Sequence, residues 1–409
     1  MAGGLIVVGA GQAAFALAAK LRALKDERPI TILGDEPVLP YQRPPLSKKY
    51  LMGEMEFDRL LYRPAQWYEE NHVTIRQGTR VEAIDRAAKS LLLASGETLP
   101  YDTLALVTGA TPRQLPASVG GDLQGIHTMR SKEDADRLAI EMKPGRRLLI
   151  IGGGYIGLEA AAVARQLGLE VTVIEMAERI LQRVASKHTA DAMRAVHQGH
   201  GVVIREATGL KTLIGNDGHV TAAELTDGTT IPVDIVIAGI GVTANDQLAA
   251  AAGLETAGGI VVDKFARTSD PDVFAAGDCT VLPWKGARIR LESVQNAVDQ
   301  AEAAASVMAG GAVPYEAKPW FWSDQYDVKL QIAGFNLGYD ETVLRPGLKE
   351  GTMSVWYYRD GRFIAVDAIN DARSYVTGKK MLELDISPDK SLVADPDADL
   401  KALLTRATV

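Results

Sequence analysis

Twice in this chain an apolar, β-branched run stops at a cluster of glycines and gives way to an alanine-rich helical pattern. The two stretches are LIVVGAGQAAFA at 5–16 and LLIIGGGYIGLEAA at 148–161. Strand, glycine turn and helix in that order constrain the backbone more than any other feature here. The turn must bring its own N–H groups close to something with no Cβ in the way. Each helix pattern leads into a second strand pattern, PITILGD and EVTVIEM, which completes a βαβ unit. Further on, YDTLALVTGATP (101–112) and VDIVIAGIGVTA (233–244) place an Asp, an apolar strand and a glycine at similar distances behind the two turns. The repeat is therefore of a whole domain plan, and the predicted fold class is α/β with two Rossmann-like dinucleotide-binding domains. A third glycine-ended strand, VFAAGDC (273–279), precedes a helix pattern. That helix has Val294, Ala297, Val298, Ala301, Ala304, Ala305 and Met308 on one face.

Past Pro314 the composition turns aromatic and β-prone. TMSVWYYRDGRFIAVDAI reads as two alternating runs joined at RDGR, a hairpin signal. This predicts a smaller C-terminal α+β domain with an antiparallel sheet, and at most a short final helix in the polar tail after Ser387. With 409 residues, 47% of them hydrophobic, the chain suits two or three cores. The predicted domains are a discontinuous one from 1–112 and 241–316, a second at 113–240, and a third at 317–409.

Several function classes are disfavoured. The net charge of −8 lacks the overall basic excess of a nucleic-acid binder. No apolar run approaches the roughly 20 residues that a membrane span needs. Met1 leads almost directly into the strand at Leu5, with no charged leader, so a soluble cytoplasmic protein is expected. The chain has one cysteine, Cys279, so it has no intrachain disulfide, dithiol pair or thiolate-bound cluster. Cys279 reads as a small packing residue where a helix begins. His197 and His200 are the one close histidine spacing and read as polar positions near a helix end; no metal is expected.

The first turn has the form Gly9-x-Gly11-x-x-Ala14, and Asp35 and Glu36 lie where an acid should bind ribose hydroxyls, about 20 residues on. The second is Gly152-x-Gly154-x-x-Gly157, with Glu175 ending its second strand. Two such turns imply two dinucleotides, and the productive combination is a flavin with a nicotinamide nucleotide, between which hydride passes. Glu175 favours the free ribose of NADH over the phosphorylated ribose of NADPH. Arg179 and Arg183 pull the other way, since an arginine suits a phosphate.

Together with ARTSDPDVFAAGDC, the two turns resemble the two-dinucleotide flavoprotein reductases of the glutathione-reductase-like group, over about residues 4–310. The resemblance implies that the first turn holds FAD and the second NAD(P)H. It implies that Asp278 binds the ribityl chain, that Tyr155 shields the flavin, and that Glu159 pairs with a lysine on the flavin side. YQRPPLSKKYL offers Lys48. Without the resemblance, Lys48 and Glu159 read as separate exposed charges; with it, they read as a pair that orients the cofactors. Disulfide reductases of that group keep a cysteine pair beside the flavin, where this chain has PPLSKKYL with Ser47 and no thiol. Electrons arriving as hydride then leave singly, to a [2Fe–2S] cluster carried by another protein.

YQRPPLSKKYL, GGGYIGLEAAA, IAGIGVTAND, ARTSDPDVFAAGDC, ESVQNAVDQA and PWFWSDQY together resemble a narrower family. It is the NADH-dependent ferredoxin reductases of bacterial oxygenase systems, such as those serving a cytochrome P450. This resemblance implies FAD contacts at Ala14, Asp35, Arg43, Lys48, Val81, Arg130, Asp278 and Val294, with Trp322 near the flavin ring. It implies NADH contacts at Tyr155, Ile156, Glu159, Glu175, Arg183 and Glu292, beside Gly152, Gly154 and Gly157 of the turn and Gly239 and Gly241 of the repeated strand end. The partner is expected to be a ferredoxin docking transiently by charge, with Arg288, Arg290 and Lys329 as candidate contacts. The protein itself is expected to be a monomer or weak homodimer. Trp320 and Trp322 share a strand face, as core, flavin wall or docking surface. Other readings are a reductase of rubredoxin or a small molecule, and an NADH-sensing flavoprotein similar to apoptosis-inducing factor.

Overall fold

The computed structural model describes residues 4–406. The chain forms two compact units. One comprises the chain up to Gln42, Glu56–Thr111 and Val242–Ala317; the other comprises Arg43–Met55, Pro112–Gly241 and the chain from Lys318 onward.

The first unit is built on five parallel strands in the order Val273–Ala275, Thr103–Leu106, Leu5–Val8, Ile30–Leu33 and Val73–Arg76. Leu5–Val8 is buried throughout, as a central parallel strand covered on both faces must be. Leu17 and Leu21 of helix Gln12–Ala23 and Ala301 and Ala305 of helix Val294–Met308 share its core. In the second unit the order is Ile126–His127, Ile235–Ala238, Arg147–Ile151, Glu170–Ile174 and Val203–Arg205, again all parallel. The two sheets repeat one plan. They differ at one edge, which is filled by Val273–Ala275 from late in the chain in one and by the short Ile126–His127 in the other.

Each plan also carries a three-stranded antiparallel excursion before its fourth strand. These are Val81–Asp85, Ser90–Leu93 and Thr98–Pro100 in one, and Leu210–Asn216, His219–Leu225 and Thr230–Pro232 in the other. The sequence reading lacked both. Their strands are partly exposed, and neither a long apolar run nor a clean alternation marks them.

The C-terminal sheet is antiparallel in the order Trp320–Gln325, Val328–Gly334, Arg362–Ile369, Met353–Arg359 and Glu341–Pro346. The RDGR hairpin closes with Arg359 opposite Arg362. Asp360 (φ 51°) and Gly361 (φ 74°) take the two left-handed positions of a tight hairpin turn. The tail holds two short helices, Lys390–Ala394 and Lys401–Arg406, where one was expected; Val393 is fully buried and secures the first. Cys279 also needs a correction: it opens onto strand Thr280–Trp284, and the next helix begins only at Val294. Its side chain is fully buried against the carbonyls of Leu106 and Ala276, and burial pushes the thiol pKa up.

Asp367 is the most perturbed carboxyl of this sheet. It is buried and accepts hydrogen bonds from Thr189 Oγ1 at 2.7 Å and from the Tyr357 hydroxyl, and burial pushes its pKa up to about 7. An unfolded aspartate titrates near about 3.9, so the folded state binds this proton more tightly. Its contribution is full below the unfolded pKa and is lost as pH rises through about 7. Asp367→Asn is expected to flatten the fall in urea-unfolding stability between pH 4 and 7, by roughly 1.4 kcal/mol per unit of pKa difference. An unchanged slope would remove Asp367 from that account.

Candidate active site

The two glycine turns are built alike. Gly9 has φ +109°, and a Cβ there would stand 2.4 Å from the Val107 carbonyl oxygen; Gly152 has φ +108°, and a Cβ there would stand 2.4 Å from the Gly239 carbonyl oxygen. Both positions demand glycine on conformation and on space. The second glycines, Gly11 and Gly154, differ in kind: a Cβ on either would meet no atom within 4 Å. They leave the mouth of each turn open. The third position is Ala14 in the first turn, fully buried, and Gly157 in the second, where a Cβ would lie 2.3 Å from the Gly152 oxygen.

Gly11 and Gly154 are also the N-caps of the helices that follow, and neither helix has a side-chain cap or an acid in its first turn. Ser131, Ser186, Ser293, Asp371 and Asp389 each accept a first-turn N–H at the start of their own helices, whereas the short helices Ala65–Glu70 and Gln247–Ala251 have no side-chain cap. The free N–H groups at the Gly11 and Gly154 ends, with the helix dipole behind them, suit a pyrophosphate. The residues present therefore fit two dinucleotides. Glu175 lies across the second turn, accepting from Gly153 N and Ala177 N at 2.8 Å each.

Lys48 and Glu159 meet in the second unit, with Nζ 3.2 Å from Oε1 and side-chain exposures of 18% and 9%. Helix Tyr155–Gln166 carries Glu159 on its buried face, and the turn Leu46–Tyr50 brings Lys48. Burial raises the Glu159 pKa, against the opposing effects of the Lys48 charge and a hydrogen bond from Ser323 Oγ at 2.7 Å. Ser47 Oγ stands 3.4 Å from Glu159 Oε2.

The pyridine nucleotide-disulphide oxidoreductase family matches residues 4–301, and a reductase C-terminal family matches 320–404. This chain belongs to the pyridine nucleotide-disulphide oxidoreductase family. A ferredoxin–NAD(P)(+) reductase from a Sphingomonas species is 42% identical over 405 residues, 98% of this chain and 97% of that one. A rubredoxin-NAD(+) reductase from Pseudomonas putida is 37% identical over 368 residues, 90% of this chain and 95% of that one. The solved covalent complex of putidaredoxin reductase with putidaredoxin is similar at TM-score 0.96 and 36% identity, covering 100% of both chains. In this member of the oxidoreductase family, disulphide chemistry has no internal thiol pair to use, because Cys279 stands alone.

The remaining predicted residues of this oxidoreductase divide between the units. Gly9, Gly11, Ala14, Asp35, Val81, Asp278, Val294 and Glu292 belong to the first; Arg43, Lys48, Arg130, Trp322 and the other nicotinamide-side residues belong to the second. Asp35 is exposed just past strand Ile30–Leu33, and Glu36 accepts from the Tyr41 hydroxyl at 2.7 Å. Arg43 donates to the Arg130 carbonyl at 2.9 Å, so these two are neighbours. Tyr155 opens its helix and tilts against Phe321, ring centroids 4.9 Å apart, and Ile156 beside it is exposed. Trp320 and Trp322 stack at 5.5 Å, with Lys379 Nζ 4.9 Å over the Trp320 ring.

Other expectations are modified. Arg179 donates to the Ala185 carbonyl at 2.8 Å, which ties it to the loop, whereas Arg183 is exposed. Arg290 is paired with Glu292, and Arg288 with Glu255 at 2.8 Å, so neither offers an uncompensated charge. Ser293 caps helix Val294–Met308 by accepting from Asn296 N, so the protein itself satisfies part of that positive end. His197 and His200 do lie at a helix end, in the last turn and at the C-cap of helix Lys187–Gly199, but His197 is fully buried there. The sequence reading assigned no role to Ser323, Gln325 or His197 beside Glu159. His197 was legible, since Thr189, Ala190, Met193 and His197 form one buried stripe of helix Lys187–Gly199.

Proposed function

We propose that this oxidoreductase takes hydride from NADH onto FAD and passes the electrons singly to a [2Fe–2S] ferredoxin serving an oxygenase. The observation that carries the reading is the pair of open, uncapped glycine turns in a chain whose one cysteine is sealed in the core. FAD, when bound, supplies two-electron uptake and one-electron release. Gly9, Gly11, Ala14, Asp35, Arg43, Lys48, Val81, Arg130, Asp278, Val294 and Trp322 are assigned to hold it. Gly152, Gly154, Tyr155, Ile156, Gly157, Glu159, Glu175, Arg183, Gly239, Gly241 and Glu292 are assigned to NADH. In this reading 1–112 with 241–316 is the FAD domain, 113–240 the NADH domain and 317–409 a separate C-terminal domain. Lys48 would supply positive charge to the bound flavin, and Glu159, 3.2 Å from its Nζ, would keep that ammonium in place.

A cytoplasmic monomer or weak homodimer that meets its ferredoxin transiently completes the reading. The test is cytochrome c reduction by NADH with and without a [2Fe–2S] ferredoxin, and with a rubredoxin in parallel. Stimulation of at least about tenfold by the ferredoxin alone is expected; stimulation by rubredoxin alone would replace the partner, and none by either would overturn the reading.

Glu175 sets a second expectation. A 2′-phosphate would approach a carboxylate fixed by two backbone N–H groups, so kcat/KM is expected to favour NADH over NADPH by about tenfold or more, roughly 1.4 kcal/mol. Glu175→Ala should narrow the ratio. A wild-type preference for NADPH would reject the argument and point to Arg183.

A further inference from the structure

Behind Glu159 lies a chain of buried polar groups. Ser323 Oγ is 2.7 Å from Glu159 Oε1, Gln325 Nε2 is 3.0 Å from Ser323 Oγ, and Gln325 Oε1 is 2.7 Å from His197 Nε2. Ser323, Gln325 and His197 are each at 0% exposure.

The direction of every bond follows from the carboxylate end. Glu159, paired with Lys48, only accepts, so Ser323 gives it its one hydroxyl proton. Ser323 Oγ then has only lone pairs left for Gln325, which must present its NH₂. The carbonyl of Gln325 therefore faces His197, whose Nε2 must carry a proton. Nδ1 of His197 is buried without a partner, and an acceptor left alone there costs less than an N–H left alone. Burial lowers the His197 pKa, which fits a neutral ring.

We propose that His197, Gln325 and Ser323 form a one-way donor chain that positions Glu159 and holds it in the charged form facing Lys48. This rests on the reading of Lys48 and Glu159 as the pair at the flavin. These three are positioning residues, acting through Glu159. Each donor in the chain polarises the next, so the hydrogen bond reaching the carboxylate is stronger than Ser323 alone would make it.

Two measurements test it. In the purified flavoprotein labelled with ¹⁵N-histidine, long-range ¹H–¹⁵N spectra should show a proton on His197 Nε2, the signal being assigned by its loss in His197→Gln. A bare Nε2 would overturn the chain itself. In stopped-flow reduction by NADH, Gln325→Leu and His197→Phe should lower the limiting rate by about two- to fourfold, as loss of polarisation on a charge-assisted bond implies. The apparent Kd for NADH should stay within about twofold, and His197→Gln, which restores a donor to Gln325, should recover most of the rate. Lowered thermal stability with an unchanged limiting rate would overturn the positioning role. An unchanged limiting rate in Glu159→Gln would instead overturn the placement of the ion pair at the reacting centre, and the chain's effect on rate with it.

Discussion

Gly11→Val is expected to yield a folded but colourless protein, and Gly154→Val a folded yellow protein that binds NADH about 100-fold more weakly, roughly 2.7 kcal/mol. Both glycines have extended backbone that valine adopts without strain, Gly11 at φ −94° and Gly154 at φ −81°. A Cβ at either meets no protein atom within 4 Å. The new side chain therefore starts into open space at the mouth of the turn, where a pyrophosphate needs room beside the helix N-terminus. The cost to folding is a less favourable helix cap, about 1 kcal/mol. Flavin content is read from visible absorbance, nucleotide affinity from the NADH dependence of flavin reduction, and folding from thermal denaturation. Full flavin occupancy in Gly11→Val would reject the assignment of the first turn. Loss of flavin in Gly154→Val with normal binding in Gly11→Val would reverse the two assignments.

Gly9 and Gly152 would make a poorer test. A side chain at either runs into a carbonyl oxygen at 2.4 Å, so loss of ligand there would not be separable from loss of fold. Within one motif, the first glycine closes the turn and the second keeps it open.

That distinction was partly legible in the sequence. The strands at Leu5 and Arg147, their helices and the RDGR hairpin are local signals: apolar β-branched runs, glycine punctuation and alternation, each within about ten residues. The antiparallel excursions carry no such signal, because their strands are half exposed and mix apolar with polar residues. On helix Val294–Met308 the expected stripe residues Ala297, Ala301, Ala304 and Ala305 are buried, whereas Val294, Val298 and Met308 are only half-buried, and Gln295, Asn296 and Gln300 are buried beside them. Gln300 Oε1 accepts from Gly277 N at 2.9 Å and Thr280 Oγ1 at 3.0 Å. Apolar periodicity counts only apolar residues, and the partner that makes burial of a glutamine tolerable lies in another segment. The chain behind Glu159 escaped for the same reason: Glu159, His197, Ser323 and Gln325 come from three distant stretches, and no motif within any one stretch signals the others. The meeting of Lys48 with Glu159 was reachable only through family resemblance, because nothing local to either residue signals the other.

Lys48→Met is expected to lower stability by about 3–5 kcal/mol at pH 8, because it removes one member of a mostly buried pair and leaves the other charged. Glu159 would keep Ser323 as a donor but would still face Asp324, which stands 3.8 Å from Lys48 Nζ and already raises the Glu159 pKa. Burial raises the folded pKa of Glu159 above its ordinary value even with Lys48 present, and removing the ammonium raises it further. The folded variant then binds a proton that the unfolded chain releases, so its stability falls as pH rises from the unfolded pKa through the folded one. The loss relative to wild type should therefore be smallest near pH 5 and largest near pH 8. Adding Glu159→Gln should restore most of the stability at pH 8, since the amide carries no charge to leave unpaired, yet should leave reduction by NADH slow. This double-mutant cycle separates the cost of burying the carboxylate from the part the pair plays at the reacting centre. Equal stability of Lys48→Met and wild type at pH 8 would mean that the pair does not form in solution.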